Sequence, residues 1–356
     1  MRFEDVLEIK NGRNQKAVEN PGGQYPIYGS GGIMGYANDY LCDAQTVIIG
    51  RKGSINSPIF VEEPFWNVDT AFGLSANRDV LLPRYLYYFC KKFDFERLNK
   101  TVTIPSLTKS DLLKIEIDLP SLEKQQDVVD QLVKIERIIT LRKQELEFLD
   151  DLIKSRFVEM FGDPEINSMN LPVKPMTEVC EIIDGDRGKN YPTQEEFSDE
   201  GYCLFLNAKN VTSNGFSFEN CMFVTKEKDE ILRKGHLNRG DVVLTTRGTI
   251  GNLAFYDESV PHENVRINSG MVILRMNHEI VSEQFFIEQF KMQLGSIKEK
   301  IASGSAQPQL PISTMNKIVV LMPAVEQQQV FTDFVKQVDK SKLPVDFGIY
   351  IPTYAA

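Results

Sequence analysis

The sequence predicts an α+β fold: two similar mixed β-rich domains joined by long helices that form an antiparallel coiled coil. Three observations predict it. A motif repeats at domain-length spacing, two blocks of short β segments are punctuated by Gly and Pro, and a long helix with a heptad pattern lies between them. With 356 residues the chain is long enough for two or three domains, each with its own core.

The repeat is clearest where each β-rich block ends. Leu119–Gln126 (LPSLEKQQ) returns 203 residues later as Met322–Gln329 (MPAVEQQQ), and both copies carry Pro-x-x-Glu-x-Gln-Gln at the start of a helix. Further matches keep the same order: Phe3–Ile9 with Met176–Ile182, Thr46–Ile49 with Asp241–Leu244, Trp66–Phe72 with Val265–Met271, and Pro105–Leu107 with Pro308–Leu310. Several matches in one order indicate two tandem copies of one unit.

The repeat divides the chain into five segments. The β-rich domains are expected at residues 1–120, with a helix near Pro83–Leu98, and at residues 166–322, with a helix near Ser282–Ile301. A central helical segment is expected at 121–165, a short distal helix at 323–343 and an atypical tail at 344–356.

The central helix is expected at Leu122–Phe161, ended by Gly162 and Pro164. Its apolar positions are spaced alternately by four and three residues, the heptad that buries a seam against a partner helix. The predicted interface is Val128, Leu132, Ile135, Ile139, Leu146, Leu149 and Ile153, with Phe331, Val335 and Val338 on the distal helix. The distal seam stops at Lys342, and Pro344 is expected to break the helix.

Composition excludes several classes of protein. Five scattered cysteines without a C-x-x-C pair, and three histidines without ligand spacing, predict neither disulfides nor a metal site. The mean hydropathy is −0.25, no apolar run approaches the ~20 residues of a membrane span, and the N-terminus lacks a signal-peptide pattern. No nucleotide-binding, methyltransferase or hydrolase motif is present, so we expect no catalytic residues and a cytoplasmic protein.

Short loops that carry cations and hydroxyls are the candidate DNA contacts. Each follows a β segment, where a rigid strand can present a loop to phosphates or base edges. The alternative is that they are ordinary solvated turns, and the net charge of −10 tolerates DNA binding without favouring it. The candidates are Arg13, Lys16, Tyr28, Ser30, Arg51, Lys52 and Ser54 in the first block, and Arg187, Lys189, Thr246, Arg247 and Thr249 in the second.

The order of these parts resembles the specificity subunit of a type I restriction–modification enzyme. The resemblance covers residues 1 to about 342 and rests on the two Pro-x-x-Glu-x-Gln-Gln motifs, with support from Ser155–Pro164, Tyr25–Gly35 and Ile49–Ser54. It implies that residues 1–120 and 166–322 are target-recognition domains, each reading one half of an asymmetric bipartite site on double-stranded DNA. The helices would act as spacers.

The resemblance also implies partners. Two methyltransferase subunits would dock on the helices and bring S-adenosylmethionine, and restriction subunits using ATP and Mg would join that core; this chain itself would bind no cofactor. The short distal helix departs from the family pattern and predicts one weakened methyltransferase docking surface. Two alternatives stay open: a stand-alone metal-dependent nuclease, and a coiled-coil adaptor without a DNA role.

Overall fold

The computed structural model describes residues 1–100, 104–302 and 309–346. They fall into two compact units: unit 1 is Met1–Lys143, and unit 2 is the described part of Gln144–Ile349. The boundary lies within the central helix. Most of the tail expected at 344–356, from residue 347 onward, lies outside the described residues, as does Pro308 of the last repeat match.

The described strands of unit 1 form two sheets. The strands are β1 (Leu7–Asn11), β2 (Tyr25–Gly29), β3 (Gly32–Ala37), β4 (Thr46–Gly50), β5 (Ile59–Val61), β6 (Trp66–Asn67) and β7 (Ala71–Ala76). An antiparallel sheet has the order β1-β7-β4-β5, and a second sheet has the order β3-β2-β6 with β2 and β6 parallel. Strand β4 is buried along its whole length because its Val and Ile side chains suit the interior of a sheet.

Unit 1 contains α1 (Phe3–Val6), α2 (Pro83–Lys92), α3 (Lys109–Leu112) and the first part of α4 (Leu122–Phe161). The first three helices pack beside the larger sheet, whereas α4 adjoins α2. Their core contains Phe3, Leu86 and Leu112, together with Val47 and Ile49 of β4. Helix α2 is shorter than expected: a 3-10 turn at Phe95–Leu98, capped by Asp94, follows it.

Unit 2 contains a sheet pair of the same order. Its elements are β8 (Val173–Pro175), α5 (Met176–Val179), β9 (Cys180–Asp184), β10 (Cys203–Leu206), β11 (Val211–Thr212), β12 (Gly215–Phe216), β13 (Phe223–Val224), α6 (Lys226–Ile231), β14 (Val242–Thr245), β15 (Leu253–Phe255), β16 (Val265–Ile267), β17 (Met271–Met276), α7 (Glu283–Ala302), α8 (Ile312–Met315), β18 (Val319–Leu321) and α9 (Val325–Asp346). A short 3-10 turn spans Gln194–Glu196.

Within the described residues, the antiparallel order β9-β17-β14-β15 repeats β1-β7-β4-β5, and β10 pairs with β16 in parallel as β2 does with β6. The pair β11-β12 has no counterpart among the sheets of unit 1 as described, and the pair β8-β18 corresponds there to the antiparallel bridge between Arg2 and Glu116. The α+β class and the two similar β-rich halves are therefore confirmed.

The first glutamine of each repeated motif has the same buried role. Gln125 Oε1 accepts a hydrogen bond from Leu82 N at 2.9 Å, and its Nε2 donates to the carbonyls of Val80 and Pro120. Gln328 makes the equivalent three bonds with Ser282 N and the carbonyls of Ile280 and Pro323. Both amides are 0% exposed, so they fix the start of α4 to the loop before α2 and the start of α9 to the loop before α7.

In unit 2, α9 runs antiparallel to the C-terminal part of α4. Phe331 packs on Phe157 and Phe161 with ring centroids 5.4 and 5.7 Å away, while Lys342 Nζ lies 2.7 Å from Asp150 Oδ1. The expected end of this helix was wrong: α9 includes Pro344 and continues to Asp346, because the missing proline N–H removes one hydrogen bond without ending the turn. The bounds of α4 are those expected, and Gly162 ends it with a φ of +75°.

Candidate nucleic-acid interface

In unit 1 the turn between β6 and β7 gathers the candidate loops. Arg13 N donates to Asn67 O at 2.9 Å, and Trp66 Nε1 donates to Arg13 O at 3.0 Å. Gly12 allows this approach, since a Cβ on it would lie 1.8 Å from Val68 O. Arg13 and Lys16 are exposed beyond this anchor, on a loop bound to the turn.

The loop after β4 is anchored to the same turn. Arg51 N donates to Thr70 O at 2.7 Å, Leu107 N donates to Arg51 O at 2.9 Å, and Gly53 N donates to Pro105 O at 3.0 Å. Arg51, Lys52 and Ser54 are exposed, and the guanidinium of Arg51 lies 5.9 Å from the centre of the Phe72 ring. Because backbone bonds hold the loop on both sides, the side chains of Arg51 and Lys52 extend from a fixed base.

Tyr28 and Ser30 lie on the neighbouring hairpin. Val68 N donates to Tyr28 O at 2.9 Å, and a Cβ on Gly50 would lie 3.1 Å from Ser30 Cβ. Tyr28 is half-buried with its ring edge-on to Phe65, and burial raises its pKa. Tyr28 is thus partly a packing residue, whereas the structure brings Ser30 beside the basic loop.

Unit 2 repeats this arrangement around the turn between β16 and β17. Thr246 N and Arg247 N donate to Gly270 O at 2.8 and 3.2 Å, as Arg51 N and Lys52 N donate to Thr70 O at 2.7 and 3.3 Å. Leu310 N donates to Thr246 O at 2.9 Å, the counterpart of the Leu107 bond. Lys52 and Arg247 are therefore structurally equivalent cations, each next to a glycine with positive φ, and both are exposed.

Thr246 does not fit the predicted role of a DNA contact. It is 5% exposed, and its hydroxyl donates to Gly270 O at 3.0 Å because the residue lies under the turn. Thr249 is exposed, and its carbonyl accepts a hydrogen bond from the hydroxyl of Thr245. On this loop, then, Arg247 and Thr249 remain available for a ligand.

The loop that carries Arg187 and Lys189 meets the same turn. Arg187 Nη2 donates to Ser269 O at 3.2 Å and to Asp184 Oδ1 at 3.1 Å, which leaves the side chain about half exposed. Lys189 is exposed. The structure therefore brings both Arg187 and Arg247 to one turn.

A buried carboxylate that the sequence did not single out organises this loop. Asp186 Oδ1 accepts a hydrogen bond from Gly188 N at 2.7 Å, and Oδ2 accepts one from Arg233 N at 2.8 Å. The Gly188 bond, followed by the Arg233 bond and the nearby Arg233 charge, lowers the pKa of Asp186 despite its burial. The sequence does not link Arg233 to this loop, because Arg233 lies 46 residues after Arg187 and belongs to no repeated motif.

The predicted helical seam divides between the units. In unit 1 Val128 is 40% exposed and Ile135 is 47% exposed, whereas Ile139 is half-buried. Val128 and Leu132 line a groove of about 730 Å³ together with Tyr88 and Phe89 of α2. In unit 2 the core contains Ile153, Phe331, Val335 and Val338, with Leu149 packed against it and Leu146 half-buried. The structure brings the C-terminal seam residues of α4 together with α9.

Two further properties concern cofactors and membranes. Across residues 1–100, 104–302 and 309–346, no cluster of three or more His, Cys, Asp or Glu is arranged to hold a metal ion. The cysteines are free thiols, and all except Cys221 are buried. In the described part of the chain, no helix is both long and apolar enough to cross a membrane.

Comparisons with known proteins give the family. The family model "Type I restriction modification DNA specificity domain" matches residues 1–150 and 170–344. A putative type I specificity subunit of Mycoplasma pneumoniae is 26% identical over 171 residues, covering 43% of this chain and 56% of that protein. The specificity subunit of a type I restriction enzyme of Methanocaldococcus jannaschii is 23% identical over 294 residues, covering 77% and 65%. The chain thus spans about six tenths of the length of these curated relatives.

Solved structures share the fold. The S subunit of a type I restriction–modification system from M. genitalium superposes with a TM-score of 0.61 at 18% identity, covering 97% of this chain and 90% of that one. A chain from a structure of type I R-M complex assembly and conformational transition gives 0.52 at 16% identity, with the same coverage. Because the family match extends over both halves, the chain belongs to the family of type I restriction–modification DNA specificity domains.

Proposed function

We propose that this chain is the DNA-sequence-specificity subunit of a type I restriction–modification enzyme. Each β-rich domain reads one half of a bipartite site on double-stranded DNA, and the chain performs no catalysis. Because the two halves carry different side chains at matching positions, such as Arg51 and Thr246, the two half-sites differ and the target is asymmetric.

One observation carries the proposal. In each unit a loop with an exposed cation follows one strand of the four-stranded sheet, β4 in unit 1 and β14 in unit 2. Backbone hydrogen bonds anchor each loop to the turn that carries Thr70 or Gly270. A rigid scaffold that presents the same basic loop twice suits contact with the phosphates and bases of two half-sites. The net charge of −10 means that local cations, and not the overall field, supply the attraction.

We also propose the partners, and membership of the family supports them. Two methyltransferase subunits dock on the spacer helices, and restriction subunits join through that core, in the cytoplasm. S-adenosylmethionine, ATP and Mg belong to those subunits, whose chemistry is methyl transfer and DNA cleavage. The exposed apolar residues of α4, among them Ile138, Leu141 and Phe148, support a protein partner on this helix.

Mapping of methylated bases tests the function. DNA from cells that carry this gene with its methyltransferase partner is compared with DNA from cells that carry the partner alone. An asymmetric motif in two parts, methylated only with both genes, is expected. Methylation that does not depend on this gene contradicts the proposal, as does metal-dependent cleavage of DNA by the purified chain alone.

A further inference from the structure

A third segment, the chain after α6, lies beside the basic loops of unit 2 that carry Arg187 and Arg247. A Cβ built on Gly235 would lie 3.4 Å from Gly185 Cα and 3.1 Å from a side-chain carbon of Ile267, so the chain after α6 packs directly on the start of the Arg187 loop. Arg233, in this segment, is exposed.

The guanidinium of Arg233 lies over the Arg187 loop. A Cβ on Gly188 would be 2.9 Å from Arg233 Nη2 and 3.1 Å from Asp186 Oδ1. Asp186 links the two loops, because one of its oxygens binds Gly188 N and the other binds Arg233 N. The glycine at 188 leaves the space that the guanidinium occupies.

The charge of this surface is opposite to that of the whole chain. Two loops contact the turn at Asn268–Met271, and they carry the cations Arg187, Lys189 and Arg247. Arg233 adjoins the first of these loops. Two acids of the Arg187 loop are engaged: Asp184 pairs with Arg187, and Asp186 is 5% exposed and accepts hydrogen bonds from Gly188 N and Arg233 N. Such a local excess of cations in an acidic protein fits a polyanion.

We propose that Arg233 contacts a DNA backbone phosphate, and that Asp186 is the positioning residue that holds the Arg233 segment and the Arg187 loop together. The inference rests on the proposed function. Arg233 supplies charge and hydrogen-bond donors to a phosphate oxygen; Asp186 does not contact DNA.

For Asp186→Asn, a positioning role and simple electrostatics predict changes in DNA affinity of opposite sign. Removing a negative charge beside DNA would by charge alone tighten binding. If Asp186 acts by position, Asp186→Asn weakens binding, because the amide presents a donor to one of the two backbone N–H groups.

The test measures binding of the full chain to a fluorescein-labelled mixed-sequence DNA duplex by anisotropy, from about 50 to about 200 mM salt. Arg233→Gln is compared with Lys317→Gln, which removes an exposed cation on the segment after α8. We expect Arg233→Gln to weaken binding and to lower the salt slope by the amount that one phosphate contact contributes. The ratio of the wild-type affinity to the variant's affinity should therefore shrink about three- to fourfold between the lowest and the highest salt concentration. Arg233→Lys should restore most of the affinity and the slope, and Asp186→Asn should weaken binding.

The outcomes are distinct. If the wild-type chain shows no salt-dependent binding of the duplex, the proposed function fails, and this inference fails with it. If the wild type binds but Arg233→Gln equals Lys317→Gln, only the inference is overturned. Tighter binding by Asp186→Asn overturns the positioning role. If Asp186→Asn does not fold, the comparison of Arg233→Gln with Arg233→Lys still tests the phosphate contact.

Discussion

The first glutamine of the repeated motif is a structural residue whose bonds explain why the motif exists. Gln125 and Gln328 each use one acceptor and two donors on backbone groups that are buried or partly buried. The second glutamine is different: Gln126 and Gln329 are exposed and bind Asp130 and Asp333 one turn away. The two adjacent glutamines should therefore contribute unequally to the stability of the fold.

Substitution of each pair tests that inequality. Gln125→Ala and Gln328→Ala should each lower the free energy of unfolding by about 2–3 kcal/mol, because three backbone groups lose their partner. Gln126→Ala and Gln329→Ala, as matched controls, should stay within about 0.5 kcal/mol of the wild type. Urea unfolding measures both, and equal losses at the two positions would contradict the role of the buried amide.

Asp186 gives a dependence on pH whose sign follows from its lowered pKa. A carboxyl with a folded-state pKa below the unfolded value of about 3.9 stabilises the protein above that value. The contribution is lost as the pH falls through the folded-state pKa. The melting temperature of Asp186→Asn should therefore lie below that of the wild type at pH 7, and the gap should narrow below about pH 4. A gap that is constant or wider in acid would be inconsistent with this role.

At the scale of elements, the position of each basic loop depends on a glycine that lets two backbones approach. A Cβ would lie 1.8 Å from Val68 O at Gly12 and 2.3 Å from Asn268 O at Gly185. Neither carbonyl can move without disturbing the turn that also anchors Lys52 or Arg247. These glycines therefore couple the sheet to the candidate DNA contacts.

Alanine at these glycines should cost stability and DNA affinity together. Gly12→Ala and Gly185→Ala should destabilise by at least about 1–3 kcal/mol through overpacking. The controls for stability have open space around the Cβ position: Gly31→Ala in unit 1 should change the stability little, and Gly295→Ala within α7 should stabilise by about 1 kcal/mol. Thermal unfolding and duplex binding measure the effects, and a stable Gly185→Ala variant with normal affinity would refute the coupling.

Much of the element structure could be predicted because its signals are local. Helix α4 has the expected bounds since periodicity and the terminal Gly-Pro signal lie within it, and β4 and β14 follow from their buried β-branched runs. The seam was harder, because a heptad identifies an apolar face but not its partner. Leu132 lines the groove beside α2, whereas Ile153 packs with Phe331.

The site could be predicted only in part, because its geometry depends on contacts between distant residues. The repeat match of Trp66–Phe72 with Val265–Met271 pairs Thr70 with Ser269. In the structure Gly270 is the equivalent of Thr70, because the carbonyls of these two residues accept the hydrogen bonds of the basic loops. The sequence around Thr246 predicts a surface hydroxyl, but in the structure the residue is buried and its hydroxyl donates to Gly270 O. Arg233 and Asp186 carry no local pattern, so a linear sequence gives no reason to associate them.

At the scale of the whole molecule, two units with the same loop arrangement should contribute separately to DNA binding. The bonds that anchor Lys52 come from residues of unit 1, and those that anchor Arg247 come from residues of unit 2. Substitutions without shared partners usually have additive effects, within about 0.3–0.5 kcal/mol. A protein that reads two half-sites should show such additivity, whereas one that binds DNA through a single unit should not.

The variants Lys52→Gln, Arg247→Gln and their combination test this organisation. Each single change should weaken duplex binding and lower the salt slope by about 0.9, and the double variant should lower it by about twice that amount, because two phosphate contacts are lost. Lys109→Gln and Lys317→Gln, exposed cations of units 1 and 2, serve as controls and should leave the slope unchanged. A double variant no weaker than one of the single variants would mean that only one loop contacts DNA, and the division of recognition between two similar units would then be wrong.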